Sequence, residues 1–145
     1  MAYTPKQIES AKETIIERML NGKSLKSILD SDNKLPSRPV IYTWLNEESS
    51  KFDQEFRNNY AQATQDRADY LVEEIISIAD DQEDDVYTDD DGNEHTNHNV
   101  INRARLRVDA RKWIAGKMKP KKYGDKIGIE LDDKRDKTIE VKIIE

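Results

Sequence analysis

Two long stretches of helical periodicity, separated by a polar segment, constrain the fold of this 145-residue chain more than any other feature. The first runs from Phe52 to about Asp80, and the second runs from Val100 to Met118. Apolar residues recur in both at intervals of three and four, as they do on one face of an α-helix. Two such helices with a loop between them are expected to fold back as a helical hairpin.

The charge distribution favours the same arrangement. Residues 66–99 contain 13 acidic residues and one basic residue, whereas residues 100–126 contain ten basic and two acidic residues. An acidic arm can therefore lie beside a basic arm, but exposed ion pairs contribute only about 0–1 kcal/mol each, so apolar burial must supply most of the stability. Because a lone hairpin cannot bury two apolar faces, we expect these helices to associate with other copies of the chain.

A shorter helix is predicted at the start of the chain. Thr4 can cap it, Pro5 suits its first position, and Gln7 completes the spacing of a capping box. Asn21-Gly22 is expected to end it, since glycine readily adopts the left-handed conformation found after a helix.

Two further short helices follow. The second is predicted from Ser24 to about Leu29, and the third begins near Ser37, whose side chain is expected to cap the amide of Val40. Three short helices with a tight turn before the third are typical of a helix-turn-helix DNA-binding domain. A small helical bundle with a polar exposed face fits the pattern equally well.

The exposed side of the third helix would enter the major groove in a helix-turn-helix. Arg38 can contact phosphate or guanine there, and Tyr42 and Thr43 can contact a base edge or a thymine methyl group. The candidate DNA-binding residues include polar neighbours of these three and two lysines near the end of the hairpin: Lys34, Ser37, Arg38, Tyr42, Thr43, Asn46, Lys121 and Lys122.

The acidic segment 81–99 interrupts the helical pattern. Its Asp91-Gly92 pair is a favoured hairpin turn, so the segment is either a small β-hairpin or a disordered fringe. His95 and His98 lie near three aspartates, but the spacing does not match that of a calcium-binding loop. We therefore expect a solvated segment without a bound metal.

Several classes of function are excluded by what the sequence lacks. The chain contains no Cys, which excludes disulfides, Cys-ligated metals and a thiol nucleophile. The phosphate-binding patterns GxxxxGKS and GxxxxGKT do not occur, and solvated carboxylates lack the burial that a catalytic acid or base needs. The residues from Met1 to Glu13 lack the apolar core of a signal peptide, and no run approaches the ~18 apolar residues of a membrane span, so we expect neither. We expect a non-catalytic protein without cofactors or membrane contact.

The end of the chain changes character after a basic, turn-like segment at residues 120–126. Apolar and polar residues alternate at 127–131 and again at 139–143, which predicts β-strands. One or two isolated strands are not stable in water, and the rest of the chain is predicted to be helical. We therefore expect these strands to pair with the same strands of neighbouring copies.

The basic block before this tail has three interpretations: pairing within the chain, pairing between copies, and contact with the DNA backbone. For residues 103–112 we favour ion pairs between copies. Trp44 and Trp113 both lie on apolar faces and are expected in the core. Three lysines beyond the paired part of the helix are expected to be free for DNA or for a channel: Lys119, Lys121 and Lys122.

The same basic block resembles a signature of the small terminase subunits of tailed bacteriophages, in the group typified by the small terminase of a Shigella phage. The resemblance is carried by RARLRVDARKW at residues 103–113 and by MKPKKYGDK at residues 118–126. It covers about residues 15–126, with supporting matches in four other segments: Gly22–Leu25, Val40–Leu45, Tyr60–Thr64 and Arg67–Asp69.

This resemblance implies a mainly α-helical ring of about eight or more copies. Residues 1–50 would form the helix-turn-helix domain, and residues 51–122, with the acidic loop 81–99, the oligomerisation hairpin. Residues 123–145 would add strands to an intersubunit β-barrel. The acidic loop is longer than in the typified member. Residues implied or expected in oligomerisation lie in the hairpin and the tail: Leu71, Ile75, Ile76, Arg103, Arg107, Arg111, Trp113, Ile139, Val141 and Ile143.

The resemblance also implies a function. Small terminases recognise the packaging site on double-stranded viral DNA and recruit the large subunit, which supplies the ATPase and the nuclease. The small subunit itself is not an enzyme, and it is expected in the cytoplasm of the infected bacterial cell but not in the mature virion. The alternative is a homo-oligomeric helix-turn-helix transcriptional regulator, which as a dimer would bind two half-sites about one helical turn apart.

Overall fold

The structure, a computed structural model, describes residues 2–125 and the backbone of residues 128–134 and 138–144. Three short helices come first, followed by two long helices with a small β-hairpin between them, then a short helix and a second β-hairpin. The elements in chain order are α1 (Pro5–Leu20), α2 (Leu25–Ser31), α3 (Arg38–Leu45), α4 (Gln54–Asp80), β1 (Val86–Thr88), β2 (Glu94–Thr96), α5 (His98–Met118), α6 (Pro120–Tyr123), β3 (Gly128–Lys134) and β4 (Thr138–Ile144).

Helix α1 has the capping box that its sequence predicts. The Gln7 backbone N–H donates to the Thr4 hydroxyl over 3.2 Å, and the Thr4 backbone N–H donates to the Gln7 side-chain oxygen over 2.8 Å. The helix ends at Leu20, and Gly22 follows with a φ of +88°. Both ends of α1 are therefore confirmed, and both depend on residues within a few positions of the helix terminus.

Helices α2 and α3 are also present, with differences at their ends. Ser24 caps α2 by accepting the Ser27 backbone N–H over 3.1 Å, but the helix continues to Ser31. Six residues then lead to α3, so the connection is no longer than the one expected at residues 30–36. Ser37 precedes α3 but makes no side-chain cap, so the predicted bond to Val40 is wrong. Ser37 is exposed, and a hydrogen bond to its hydroxyl gains little over one to water.

The first three helices pack against the beginning of α4. Trp44 of α3 is 2% exposed and meets Phe56 of α4 edge-on, with ring centroids 5.5 Å apart. The expected core position of Trp44 is therefore confirmed. The buried apolar residues of this core come from α1, α2, α3 and α4: Ala11, Ile15, Met19, Leu25, Ile28, Ile41, Trp44, Phe56 and Ala63.

Helices α4 and α5 form the predicted antiparallel hairpin. Leu71 and Ile78 of α4 and Ala115 of α5 are buried in it. The acidic segment between the helices contains the small β-hairpin that was one of the two expectations, with β1 antiparallel to β2 and Gly92 at a φ of +85°. Among the described helices, none is long and apolar enough to cross a membrane.

The tail strands β3 and β4 pair with each other, antiparallel, with Gly128 opposite Ile144 and Lys134 opposite Thr138. We expected these strands to pair with strands of neighbouring copies, and this expectation is wrong for the pairing between β3 and β4, which lies within one chain. Only three residues separate them in sequence, so closing the loop between them costs little entropy. Three predicted oligomerisation residues belong to β4, and their side chains lie outside the described residues: Ile139, Val141 and Ile143.

Candidate functional site

Helix α3 is divided into a buried side and an exposed side. Ile41 and Trp44 are 0% and 2% exposed, whereas Tyr42 is 47% exposed. Thr43 is only half-buried, and its hydroxyl donates to the Val40 carbonyl over 2.6 Å. Of the predicted DNA-contacting residues on or beside this helix, five are exposed: Lys34, Ser37, Arg38, Tyr42 and Asn46.

Helix α4 presents two residues to the N-terminal helices that sequence reasoning missed, Tyr60 and Arg67. Burial raises the pKa of the Tyr60 hydroxyl, the nearby Tyr42 raises it further, and the positive charges of Arg38 and Arg67 oppose the shift. Burial also lowers the pKa of Arg67, whose side chain donates to the Gly22 carbonyl over 2.9 Å. Tyr60 thus places a hydroxyl near Arg38 and Tyr42 of α3, and Arg67 places a guanidinium at the turn between α1 and α2. The two residues lie 15 and 22 positions beyond the end of α3.

The three lysines that follow α5, Lys119, Lys121 and Lys122, differ in whether they are paired within the chain. Lys121 is exposed. Lys119 and Lys122 donate to the Asp69 carboxylate of α4 over 3.0 and 3.1 Å. The expectation that all three lysines are free is therefore wrong for Lys119 and Lys122. The short helix α6 turns back toward α4 and brings both ammonium groups to one carboxylate.

The basic residues of α5 also divide into paired and unpaired groups. Arg111 donates to Glu74 of α4 over 2.9 Å, so this arginine pairs within the chain and not between copies as expected. Arg103 and Arg107 are exposed and have no carboxylate within 4.0 Å among the described residues. These two arginines keep their charges available to another molecule.

Large apolar side chains are exposed on both long helices. Trp113 is 67% exposed, so the expectation that it lies in the core of the single chain is wrong. It borders a groove of about 650 Å³ whose apolar wall includes Val72 and Ile75. Ile76 is 64% exposed, whereas Leu71 is buried against α5. Leu106 of α5 is 60% exposed and extends this apolar surface.

The two histidines of the acidic segment lie on different elements. His95 of β2 is 2.6 Å from the Asp89 carboxylate and stacks on the Tyr87 ring, with centroids 5.3 Å apart. That hydrogen bond and backbone N–H donation lower the pKa of Asp89. His98 begins α5. The contacts of this segment are those of a self-contained hairpin turn.

The comparisons with known proteins agree on one family. The model described as "Bacteriophage Sf6, terminase small subunit-like" matches residues 7–130. The fold is also similar to crystal structures of three single-substitution variants of the terminase small subunit gp1 of the bacterial virus Sf6, at TM-scores of 0.61, 0.59 and 0.58. Sequence identities are 32%, 31% and 31%, and each alignment covers 97% of this chain and 92% of the other.

No curated protein sequence matches the chain significantly. The family match nevertheless spans most of the chain, including the α3 segment, both long helices and α6. The structural similarity extends over nearly the full length of both molecules. The chain therefore belongs to the family of bacteriophage terminase small subunits typified by that of Sf6.

Proposed function

We propose that this protein is the DNA-recognition subunit of a viral genome-packaging terminase. It binds the packaging site on double-stranded viral DNA, and it recruits and regulates the large subunit, which carries the ATPase and the nuclease. It is not itself an enzyme and uses no cofactor. It acts in the cytoplasm of the infected bacterial cell during virion assembly and does not remain in the mature virion. Membership of the terminase small subunit family supports this proposal.

In this proposal α1–α3 act as a helix-turn-helix, and α3 is the helix that reads DNA. The observation that supports this assignment is that α3 has one buried side and one exposed side. Ile41 and Trp44 pack in the core of the N-terminal helices, whereas Arg38 and Tyr42 are exposed. Arginine can make bidentate contacts with guanine in the major groove. In the same proposal Lys34, which is exposed in the turn before α3, contacts phosphate and so positions the helix.

The proposed assembly is a ring of about eight or more copies. Residues 1–50 form the DNA-binding domain, residues 51–122 the oligomerisation hairpin, and residues 123–145 a strand tail that contributes to an intersubunit β-barrel. The support is the exposed apolar surface of the hairpin at Ile76, Leu106 and Trp113 together with the unpaired Arg103 and Arg107. An apolar surface with charged neighbours is typical of a subunit interface.

The test of DNA recognition is the double substitution Arg38→Ala and Tyr42→Ala, measured by fluorescence anisotropy on viral DNA that contains the packaging site. We expect at least about a tenfold loss of affinity, since each good base contact contributes about 1–3 kcal/mol of discrimination. The matched control is Lys6→Ala with Tyr87→Ala, which also removes one exposed positive charge and one exposed tyrosine. Unchanged binding by the α3 variant contradicts the proposal.

The test of the assembly is light scattering of the unmodified protein after size-exclusion chromatography. A cyclic oligomer well above a tetramer is expected. A stable dimer at micromolar concentration contradicts the ring and favours the transcriptional regulator.

A further inference from the structure

One carboxylate of α4 collects three donors from the end of the hairpin. The Asp69 side chain accepts hydrogen bonds from the Tyr123 hydroxyl over 2.6 Å, from Lys119 over 3.0 Å and from Lys122 over 3.1 Å. All three donors come from residues 50 to 54 positions later in the chain. We call Asp69, these three residues and Gly124 the exit joint, because the chain passes from them toward β3.

The backbone of the exit joint is packed so closely at Gly124 that no side chain fits there. A Cβ atom on Gly124 would lie 2.6 Å from the Pro120 carbonyl oxygen, a distance that real Cβ atoms do not show. The Gly124 N–H donates to that same oxygen over 2.9 Å. A Cβ atom on Gly116 of α5 would lie 3.4 Å from the Tyr123 carbonyl oxygen. The turn that ends α6 is therefore tight, and α6 is in van der Waals contact with the end of α5.

We propose that Asp69 is a positioning residue that sets the direction in which the chain leaves the helical hairpin toward β3 and β4. The inference rests on the proposed function, in which the strand tails of neighbouring copies meet. Tails can meet in the same way around a ring only if every copy directs its tail at the same angle, and the exit joint supplies that angle.

The contacts of Asp69 are better suited to orienting the chain after α6 than to stabilising the fold. Its side chain is 36% exposed and those of Lys119 and Lys122 are 27% and 56% exposed, so these ion pairs contribute little to the free energy of unfolding. A carboxylate has two acceptor oxygens and can hold several donors at once, whereas an amide has only one acceptor oxygen. The hydrogen bonds from Tyr123, Lys119 and Lys122 also hold the pKa of Asp69 well below its usual range.

The experiment measures the distance across the exit joint in the full-length chain. Because the sequence has no Cys, the substitutions Gln65→Cys and Asp125→Cys create two unique sites for spin labels. Both positions are exposed, one on α4 and one just after the joint. Excess unlabelled protein ensures that pulsed electron resonance reports distances within one chain. We expect a narrow distance distribution in the labelled parent.

The test variant is Asp69→Asn, and its matched control is Glu73→Gln, one turn further along α4, exposed and without an ion-pair partner among the described residues. We expect the narrow distribution to be lost with Asp69→Asn and kept with Glu73→Gln. Tyr123→Phe removes one hydroxyl only and should broaden the distribution less, and it serves as the test if Asp69→Asn does not fold. An unchanged distribution in either test variant overturns the proposal.

Native mass spectrometry then tests the consequence for assembly. With Asp69→Asn we expect helix content to be kept and the subunit number to spread over several values, while Glu73→Gln keeps the parent distribution. A loosened joint with an unchanged subunit number overturns the role in assembly. If the unmodified protein forms no ring, the proposed function fails, but the distance measurement still decides whether Asp69 orders the joint.

Discussion

Lys12 of α1 donates a hydrogen bond over 2.6 Å to Asp53, the residue that caps α4. The other oxygen of the same carboxylate accepts the Phe56 backbone N–H over 3.0 Å. The Lys12 ammonium also lies 5.1 Å from the centroid of the Trp44 ring. One carboxylate therefore begins the long helix and attaches the N-terminal helices to it.

The substitution Asp53→Ala should lower the free energy of unfolding by about 1–2 kcal/mol through the lost helix cap alone. The loss of the partner of Lys12, whose side chain is only 13% exposed, should add to that cost. Urea denaturation followed by circular dichroism measures the change. Glu48→Gln is the control, because Glu48 is exposed and outside the helices, and an equal effect of both substitutions would contradict this role of Asp53.

Gly22 and Gly92 offer a matched pair, since their φ angles are +88° and +85°. A Cβ atom at Gly92 meets nothing within 4 Å, whereas one at Gly22 would lie 2.3 Å from a Tyr70 ring atom. Gly92→Ala should lower the free energy of unfolding by at most about 1–2 kcal/mol, through backbone strain alone. Gly22→Ala should cost about 1–3 kcal/mol more, because the ring or the turn must also move.

A double-substitution cycle with Tyr70→Ala checks the cause of that difference. If the ring is responsible, Gly22→Ala should destabilise the Tyr70→Ala variant less than it destabilises the parent. Thermal or urea unfolding gives the four free energies. An identical cost in both backgrounds would assign the effect to the backbone alone.

Trp113 should report assembly. In the Trp44→Phe variant it is the only tryptophan, and its 67% exposure in the single chain predicts emission at long wavelength when the protein is dilute. Burial between copies should shift the emission to shorter wavelength as concentration rises. Trp113→Ala should weaken assembly and leave helix content unchanged, whereas Val86→Ser, at an exposed apolar residue of β1, should leave assembly intact.

Acid should destabilise the protein through its paired aspartates. The hydrogen bond from Lys12 lowers the pKa of Asp53 below the ordinary 3.8, and the donors of the exit joint lower that of Asp69. A carboxyl group whose pKa is lower when folded stabilises the fold above its unfolded pKa, and this contribution is lost as the pH falls toward the folded value. The free energy of unfolding should therefore decrease as the pH is lowered below about 4.

The same titration in Asp69→Asn should show only a slightly weaker dependence on pH over that range, because the partly exposed ion pairs of Asp69 contribute little to the free energy of unfolding. High salt should reduce the difference between the variant and the parent, because Asp69 is partly exposed. An identical pH dependence of the two proteins in low salt would show that Asp69 has the same pKa folded and unfolded.

Features set by neighbouring residues could be predicted from the sequence. The capping box of Thr4 and Gln7, the glycine after α1 and the hairpin turn at Gly92 each need only a few adjacent positions. The helical hairpin and the core position of Trp44 followed from apolar periodicity. Ser37 shows the limit of such local reasoning, since an exposed hydroxyl at the right position need not make the cap.

Features set by the register between distant segments could not be predicted. Asp69 meets Lys119 and Lys122 only because α6 folds back at the end of α5. Tyr60 borders α3, and Arg67 reaches the Gly22 carbonyl, only because α4 carries both residues past these segments. Trp113 was misplaced for a related reason, because apolar spacing does not reveal whether a residue contacts its own chain or another.

Helix α4 is one continuous helix of 27 residues, roughly 40 Å long. Its first turns hold Phe56 in the N-terminal core, and its last turns hold Ile78 against α5. Because the helix has no break, a tilt of about 5° at its first turn would displace its last turn by roughly 3–4 Å.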